Sequence, residues 1–143
     1  KMYWCGGGRI RCANLNGSGV QQIISGSGDI LQLALDLTHG KVYWTDRWNR
    51  RVQRANLDGS DLETIVGSLS NPIGIAVDPA AGKIYWGDSD GSVSKANLDG
   101  TNIELGIFSA AGAEWTGISL DVENTSYLKT FTISFLQILF TLI

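Results

Sequence analysis

The dipeptide Tyr-Trp recurs at residues 3–4, 43–44 and 85–86, with spacings of 40 and 42 residues. Two further landmarks keep the same interval. "ANLNG" at 13–17 returns as "ANLDG" at 55–59 and 96–100, and an apolar run closed by aspartate ends at Asp36, Asp78 and Asp121. Three landmarks in a fixed order at a period near 42 define an internal repeat, and a chain of 143 residues holds about three such units. Each unit must fold in the same way and bury its apolar surface against its neighbours.

Within one period the pattern is that of four short strands. "GIAVD" (74–78), "KIYWGD" (83–88), "VSKANL" (93–98) and "TNIELGIF" (101–108) are separated by "PAAG", "SDGS" and an Asp-Gly step. Asp-Gly predicts a tight type I′ hairpin. Four strands of five or six residues make a four-stranded antiparallel meander. The content of 18 glycines and two prolines suits a turn-rich β protein. In "KIYW", Ile84 and Trp86 point to one face and Tyr85 to the other, so the strand is apolar on both sides. A sheet with one wet face would alternate with polar residues. Sheets covered on both faces and stacked about an axis are blades, which predicts an all-β protein of β-propeller architecture. A β-helix has a shorter repeat and lacks the hairpin signals.

"YWTD" at 43–46, with "IAVD" and "RANLDG" at their fixed offsets, resembles the class B (YWTD) repeat of the low-density lipoprotein receptor family. The other copies depart from the motif, reading "YWCG" and "YWGD". The Gly-His and Trp-Asp marks of WD40 repeats are absent. The resemblance covers roughly residues 1–125. It implies part of a six-bladed propeller, present as about three blades of an incomplete ring. It also implies an extracellular or cell-surface setting in a larger receptor or matrix protein, and protein or peptide ligands bound on the top-face loops.

The expected blade parts are 1–27, 30–67 and 73–108, with the start of a further blade at 115–125. The first copy begins at its second strand, since Lys1-Met2 aligns with Lys41-Val42. After Asp121 the register is lost, and residues 126–143 form an apolar tail. From Phe131 to Ile143 there are 13 residues, short of the roughly 20 that span a bilayer as a helix. Three readings stay open for this tail: an anchor, a strand or helix capping the last blade, or unrelated sequence from a truncated or misread frame. In the last case the fragment has no independent activity. Open blade faces predict self-association or poor solubility, unless the tail folds over one of them.

Residues present in every copy serve the copy; a ligand site is singular. Tyr43, Trp44, Tyr85 and Trp86 are therefore expected in the core. Asp36, Asp78 and Asp121, and likewise Asp46 and Asp88, end strands where a carboxylate accepts backbone N–H groups. Singular residues cluster in the loop "DRWNRR". Arg47, Trp48, Asn49, Arg50 and Arg51 have no counterparts as a set, and tryptophan beside arginine is the composition of an interface anchor. Asn71, Glu114 and Trp115 are expected on the same face. Together these eight residues are the candidate site for a ligand of acidic character. The competing reading is a solvated hairpin tip, with Trp115 packed in the channel mouth.

Other function classes find less support. A net charge of -3 offers no basic field for nucleic acid. His39 stands alone in a turn on the opposite face, with no nucleophile set, phosphate loop or paired metal spacing. The runs "DSDGS" and "NLDGSDLE" lack a full calcium-loop ligand set. A calcium-dependent lactonase-type propeller would need acidic ligands at the inner strand starts, which read "PIGI" and "TGIS". No enzyme activity, cofactor or metal is expected. Cys5 and Cys12 could face each other across a hairpin as a disulfide or stay as two free thiols. Asn16 and Asn124 match the short glycosylation pattern.

Overall fold

The computed structural model describes residues 1–110, 117–120, 129–131 and 140–142. Three antiparallel sheets follow one another along the chain. The first holds β1 (Met2–Gly6), β2 (Arg9–Ala13) and β3 (Gln21–Ile24). The second holds β4 (Ile30–Asp36), β5 (Lys41–Asp46), β6 (Arg51–Asn56) and β7 (Glu63–Val66). The third holds β8 (Pro72–Asp78), β9 (Lys83–Asp88), β10 (Ser92–Asn97) and β11 (Glu104–Ser109). Strands adjacent in sequence are adjacent in each sheet, so every sheet is a meander. Farther on, β12 (Lys129–Phe131) pairs antiparallel with β13 (Phe140–Leu142). Among the described residues no helix is long and apolar enough to cross a membrane. The protein is all-β, with three consecutive propeller blades.

The Tyr-Trp step explains the stacking. Successive strand residues point to opposite faces. Trp44, with Val42 and Ala55, packs back against Ile10 and Ile24 of the first sheet. Tyr43, with Val52 and Val66, packs forward against Ile84, Trp86 and Ala96 of the third. Tyr85 and Val93 repeat the forward contact with Ile118. Trp44 and Trp86 are fully buried. Burying each such side chain contributes about 2–3 kcal/mol, so the aromatic pair holds one blade to two others.

The strand-end aspartates cap turns and connections. Asp36 accepts the His39 N–H at 3.0 Å and Asp78 that of Ala81 at 2.9 Å. Asp46 and Asp88 reach the segments entering their own sheets, accepting from Gly28 N at 3.2 Å and Asn71 N at 3.1 Å. Asp121 lies outside the described residues.

Two expectations change. The Asp-Gly turns are not of type I′, which needs positive φ at both central residues. Only Gly59 and Gly100 take it, at 90° and 83°. Asp58 and Asp99 instead accept both the hydroxyl and the N–H of the residue two on, Ser60 and Thr101, and these bonds, the hydroxyl first, hold both carboxyls below the ordinary range. Each hairpin therefore runs through a longer, side-chain-braced turn. The two cysteines do not oppose each other: the register sets Cys12 against Tyr3 and Cys5 against Ile10. Both thiols are free, and burial pushes that of Cys5 up.

A candidate ligand-binding groove

The loop from β5 to β6 and the connections between sheets meet at one end of the blades. Arg47 N–H donates to Asp29 O at 3.0 Å, and Ser89 N–H to Asn71 O at the same distance. Residues 47–50 form the tip of the loop. Arg50 sits there at φ 54, while the corresponding turn positions in the first and third sheets are Gly8 at 69 and Gly91 at 86. The left-handed region costs a residue with a Cβ roughly 1–2 kcal/mol. Such strain concentrates where a side chain is needed for function.

Below the tip lies an open depression of about 610 Å³, lined by Arg47, Trp48, Arg50, Ser70, Asn71 and Ser89. Arg47 Nε donates to Asn71 Oδ1 at 2.7 Å, and Asn71 Nδ2 donates to Ser89 Oγ at 2.8 Å. This chain spans two blades and fixes the groove floor, using one of the five guanidinium donors of Arg47. Trp48 is 76% exposed. Arg50 is exposed too. The groove thus offers an exposed indole together with two guanidinium groups, suited to a carboxylate beside an apolar group.

Asn49 and Arg51 turn to another task. Asn49 Nδ2 donates to Asp46 Oδ2 at 2.8 Å. Arg51 Nε and Nη2 donate to the same oxygen at 3.1 and 3.0 Å. Burial pushes the Asp46 carboxyl up, but the donors Asn49, Gly28 and Arg51 outweigh it and hold it below the ordinary carboxylate range. A Cβ at Gly28 would stand 2.7 Å from Asp46 Oδ1 and 2.8 Å from Trp48 Cβ, so glycine lets the connection lie against the loop base.

Of the eight candidate residues, the structure gathers Arg47, Trp48, Arg50 and Asn71 in the groove. Asn49 and Arg51 bind Asp46 instead and do not line it, and Glu114 and Trp115 lie outside the described residues. Ser70 and Ser89 join the groove without having been singled out. Ser89 lies in the third blade's equivalent of the arginine loop, and a comparison of those two loops alone would have found it.

At the opposite end, His39 Nδ1 lies 2.7 Å from Asp36 Oδ2. A depression of about 340 Å³ there includes Lys41, Tyr43, Arg54 and Leu98. Its cations have partners: Lys41 Nζ donates to Asn56 Oδ1 and Arg54 Nη1 to Leu98 O. This end is joinery between blades. Among the described residues, no group of three His, Cys, Asp or Glu side chains could hold a metal ion.

Comparison with known proteins fits this architecture. Residues 40–79 match the low-density lipoprotein receptor repeat class B family. The matched unit runs from the second strand of one sheet to the first strand of the next, so the sequence repeat straddles two blades. No curated protein sequence matches the chain. Among solved structures, a chain of the nidogen/laminin complex superposes with TM-score 0.77 and 26% identity, covering 88% of this chain and 49% of that one. TolB from Acinetobacter baumannii gives 0.73 at 11% identity, covering 93% and 34%. A luciferin-regenerating enzyme gives 0.63 at 15%, covering 91% and 45%. The last two likenesses are of fold alone, and the chain spans about half the length of the nidogen/laminin chain. Residues 40–79 thus match the low-density lipoprotein receptor repeat class B, and the chain folds as consecutive blades of a β-propeller.

Proposed function

We propose that this chain is a binding module rather than a catalyst, part of an extracellular receptor or matrix protein. It captures an acidic segment of a protein partner in the groove of Arg47, Trp48, Arg50 and Asn71. The observation that carries this reading is Arg50: a bulky cation held in left-handed backbone beside an exposed indole, where the other blades use glycine. The class B repeat and the likeness to a chain from a two-protein complex support the setting. Fluorescence titration with a labelled Glu-rich peptide carrying one aromatic residue tests it. Trp48→Ala and Arg50→Ala should each weaken capture by about 1–2 kcal/mol, roughly tenfold, as interface anchors do. Raised salt should weaken it further. Trp44→Ala should instead cost about 3–5 kcal/mol of folding stability. If the two loop variants bind as well as the parent, the groove is not the site.

A further inference from the structure

Trp44 and Trp86 pair across their sheets with Gln53 and Ser94, and Thr45 and Gly87 pair with Val52 and Val93. The register makes Arg51 of the second blade the counterpart of Ser92 in the third, and Gln53 that of Ser94. Thr64 and Gly106 correspond likewise, each two residues before the partner of that valine, Val66 or Phe108. In the second blade these positions are filled. Arg51 pairs with Asp46, and Gln53 Nε2 donates to Thr64 Oγ1 at 3.3 Å. In the third blade all three side chains are shortened, while the carboxylate Asp88 is kept.

The shortening opens a cavity of about 420 Å³ between the second and third blades, lined in part by Ser70, Asp88, Asp90, Ser92, Ser94 and Gly106. A Cβ at Gly106 would meet nothing within 4 Å. Asp88 is 6% exposed and Ser94 1%. Asp88 Oδ1 accepts the Asn71 N–H at 3.1 Å. The buried Trp86 N–H eases the charge without making a hydrogen bond. Among the described residues no cation pairs with Asp88; burial holds its carboxyl above the ordinary value, and the Asp90 charge adds to the rise. A buried carboxylate without a counter-ion costs the fold stability. Its blade supplies none.

We infer that this cavity binds a guanidinium group, the side chain of an arginine on a protein partner, in the place that Arg51 fills from within the second blade. A guanidinium brings five N–H donors and a fixed charge. Asp88 and Asp90 meet the charge, and the hydroxyl oxygens of Ser70 and Ser92 offer further acceptors. A calcium ion fits less well, since it takes about six to eight oxygen ligands and no third acidic side chain joins the pair among the described residues. The cavity and the arginine groove share Ser70. One extended segment can therefore place an acidic residue in the groove and an arginine here. That continuity rests on the proposed binding role; the guanidinium site does not.

Amide NMR of the isotope-labelled 143-residue chain, titrated with N-acetylarginine amide, tests the site with a probe that carries no acidic group. The Ser92, Ser94 and Gly106 signals should shift saturably. The citrulline analogue, alike in shape but uncharged, should bind at least about tenfold more weakly. Asp88→Asn should weaken the arginine probe by a similar factor. Ser92→Arg should supply the guanidinium from within, raise the melting temperature and abolish the shifts. Equal responses to the two probes would overturn the proposal. So would an unchanged titration of Asp88→Asn or Ser92→Arg, or saturable shifts with calcium chloride and none with the arginine probe. A chain that ignores the Glu-rich peptide yet gives these shifts would lose the groove reading and keep this one.

Discussion

Asp46 and Asp88 close equivalent strands of consecutive blades, yet their carboxyls are held in opposite directions. Burial raises Asp88, with the Asn71 N–H opposing and the Asp90 charge adding to the rise. Asp46 is lowered because Asn49, Gly28 and Arg51 all donate to it. One repeat position has thus become a charged anchor in one blade and a reluctant anion in the next. The difference lies in the arginine loop.

The same substitution should therefore act with opposite sign at the two sites. Asp46→Asn should cost about 2 kcal/mol at neutral pH, below a fully buried pair because Arg51 is partly exposed. Asp46 contributes stability above the unfolded carboxyl value near ~4 that is lost as pH falls through its lower folded value, so this cost should shrink in acid. Asp88, raised in the folded state, is favourable below ~4 and loses stability as pH climbs toward its folded value. Asp88→Asn should therefore raise stability at neutral pH. Urea unfolding of both variants across pH 3–7 checks the signs; a loss at Asp88 equal to that at Asp46 would refute the account.

The frame of the fold was legible because each blade buries aromatics on both faces, and that requirement is written into every copy. The groove was half legible. Arg47, Trp48 and Arg50 stood out as departures from the repeat, but the inward turn of Asn49 and Arg51 did not. Their partner Asp46 belongs to the repeated scaffold, and its other donor, Gly28, lies in a connection that carries no motif. The Asp-Gly turns misled because the pair suits type I′ locally, while Asn56 and Asp58 brace a different turn through Ser60. Cys5 and Cys12 required the strand register, which the seven-residue spacing did not supply.

The three turn glycines separate backbone strain from crowding between blades. Gly17, Gly59 and Gly100 share positive φ of 81, 90 and 83, so alanine should cost each about 1 kcal/mol. At Gly59 and Gly100 the new methyl also meets a carbonyl oxygen of the preceding sheet, and the total should reach about 3 kcal/mol or more. Denaturant unfolding of the three single variants makes the comparison. Equal losses at all three positions would show that the close approach does not matter.

Arg50→Gly should divide stability from binding. Glycine relieves the left-handed strain but gives the unfolded chain more freedom, so the net change should lie between zero and about 1 kcal/mol in favour of folding. Capture of the acidic peptide should fall with the lost cation. The measurement is thermal unfolding beside the peptide titration. A clear drop in melting temperature would mean that the Arg50 side chain serves the loop instead of a ligand.

Gln32, on the first strand of the second blade, ties together the inner strands that follow it. Its Nε2 donates to Ile118 O at 2.8 Å, and its Oε1 accepts from Ile118 N at 3.0 Å and Ile75 N at 3.3 Å. A Cβ at Gly117 would meet that amide at 3.0 Å, and its three nearest atoms all belong to Gln32. Gln32→Ala leaves backbone groups beside buried Ile118 without this partner and should cost about 1–3 kcal/mol. Gly117→Ala should cost a similar amount by pushing the amide away. Because both changes remove the same tie, the double variant should lose little more than either single one, a coupling of about 1–2 kcal/mol. Additive losses in the cycle would show that Gln32 and Gly117 act independently, and that the inner strands are held by apolar packing alone.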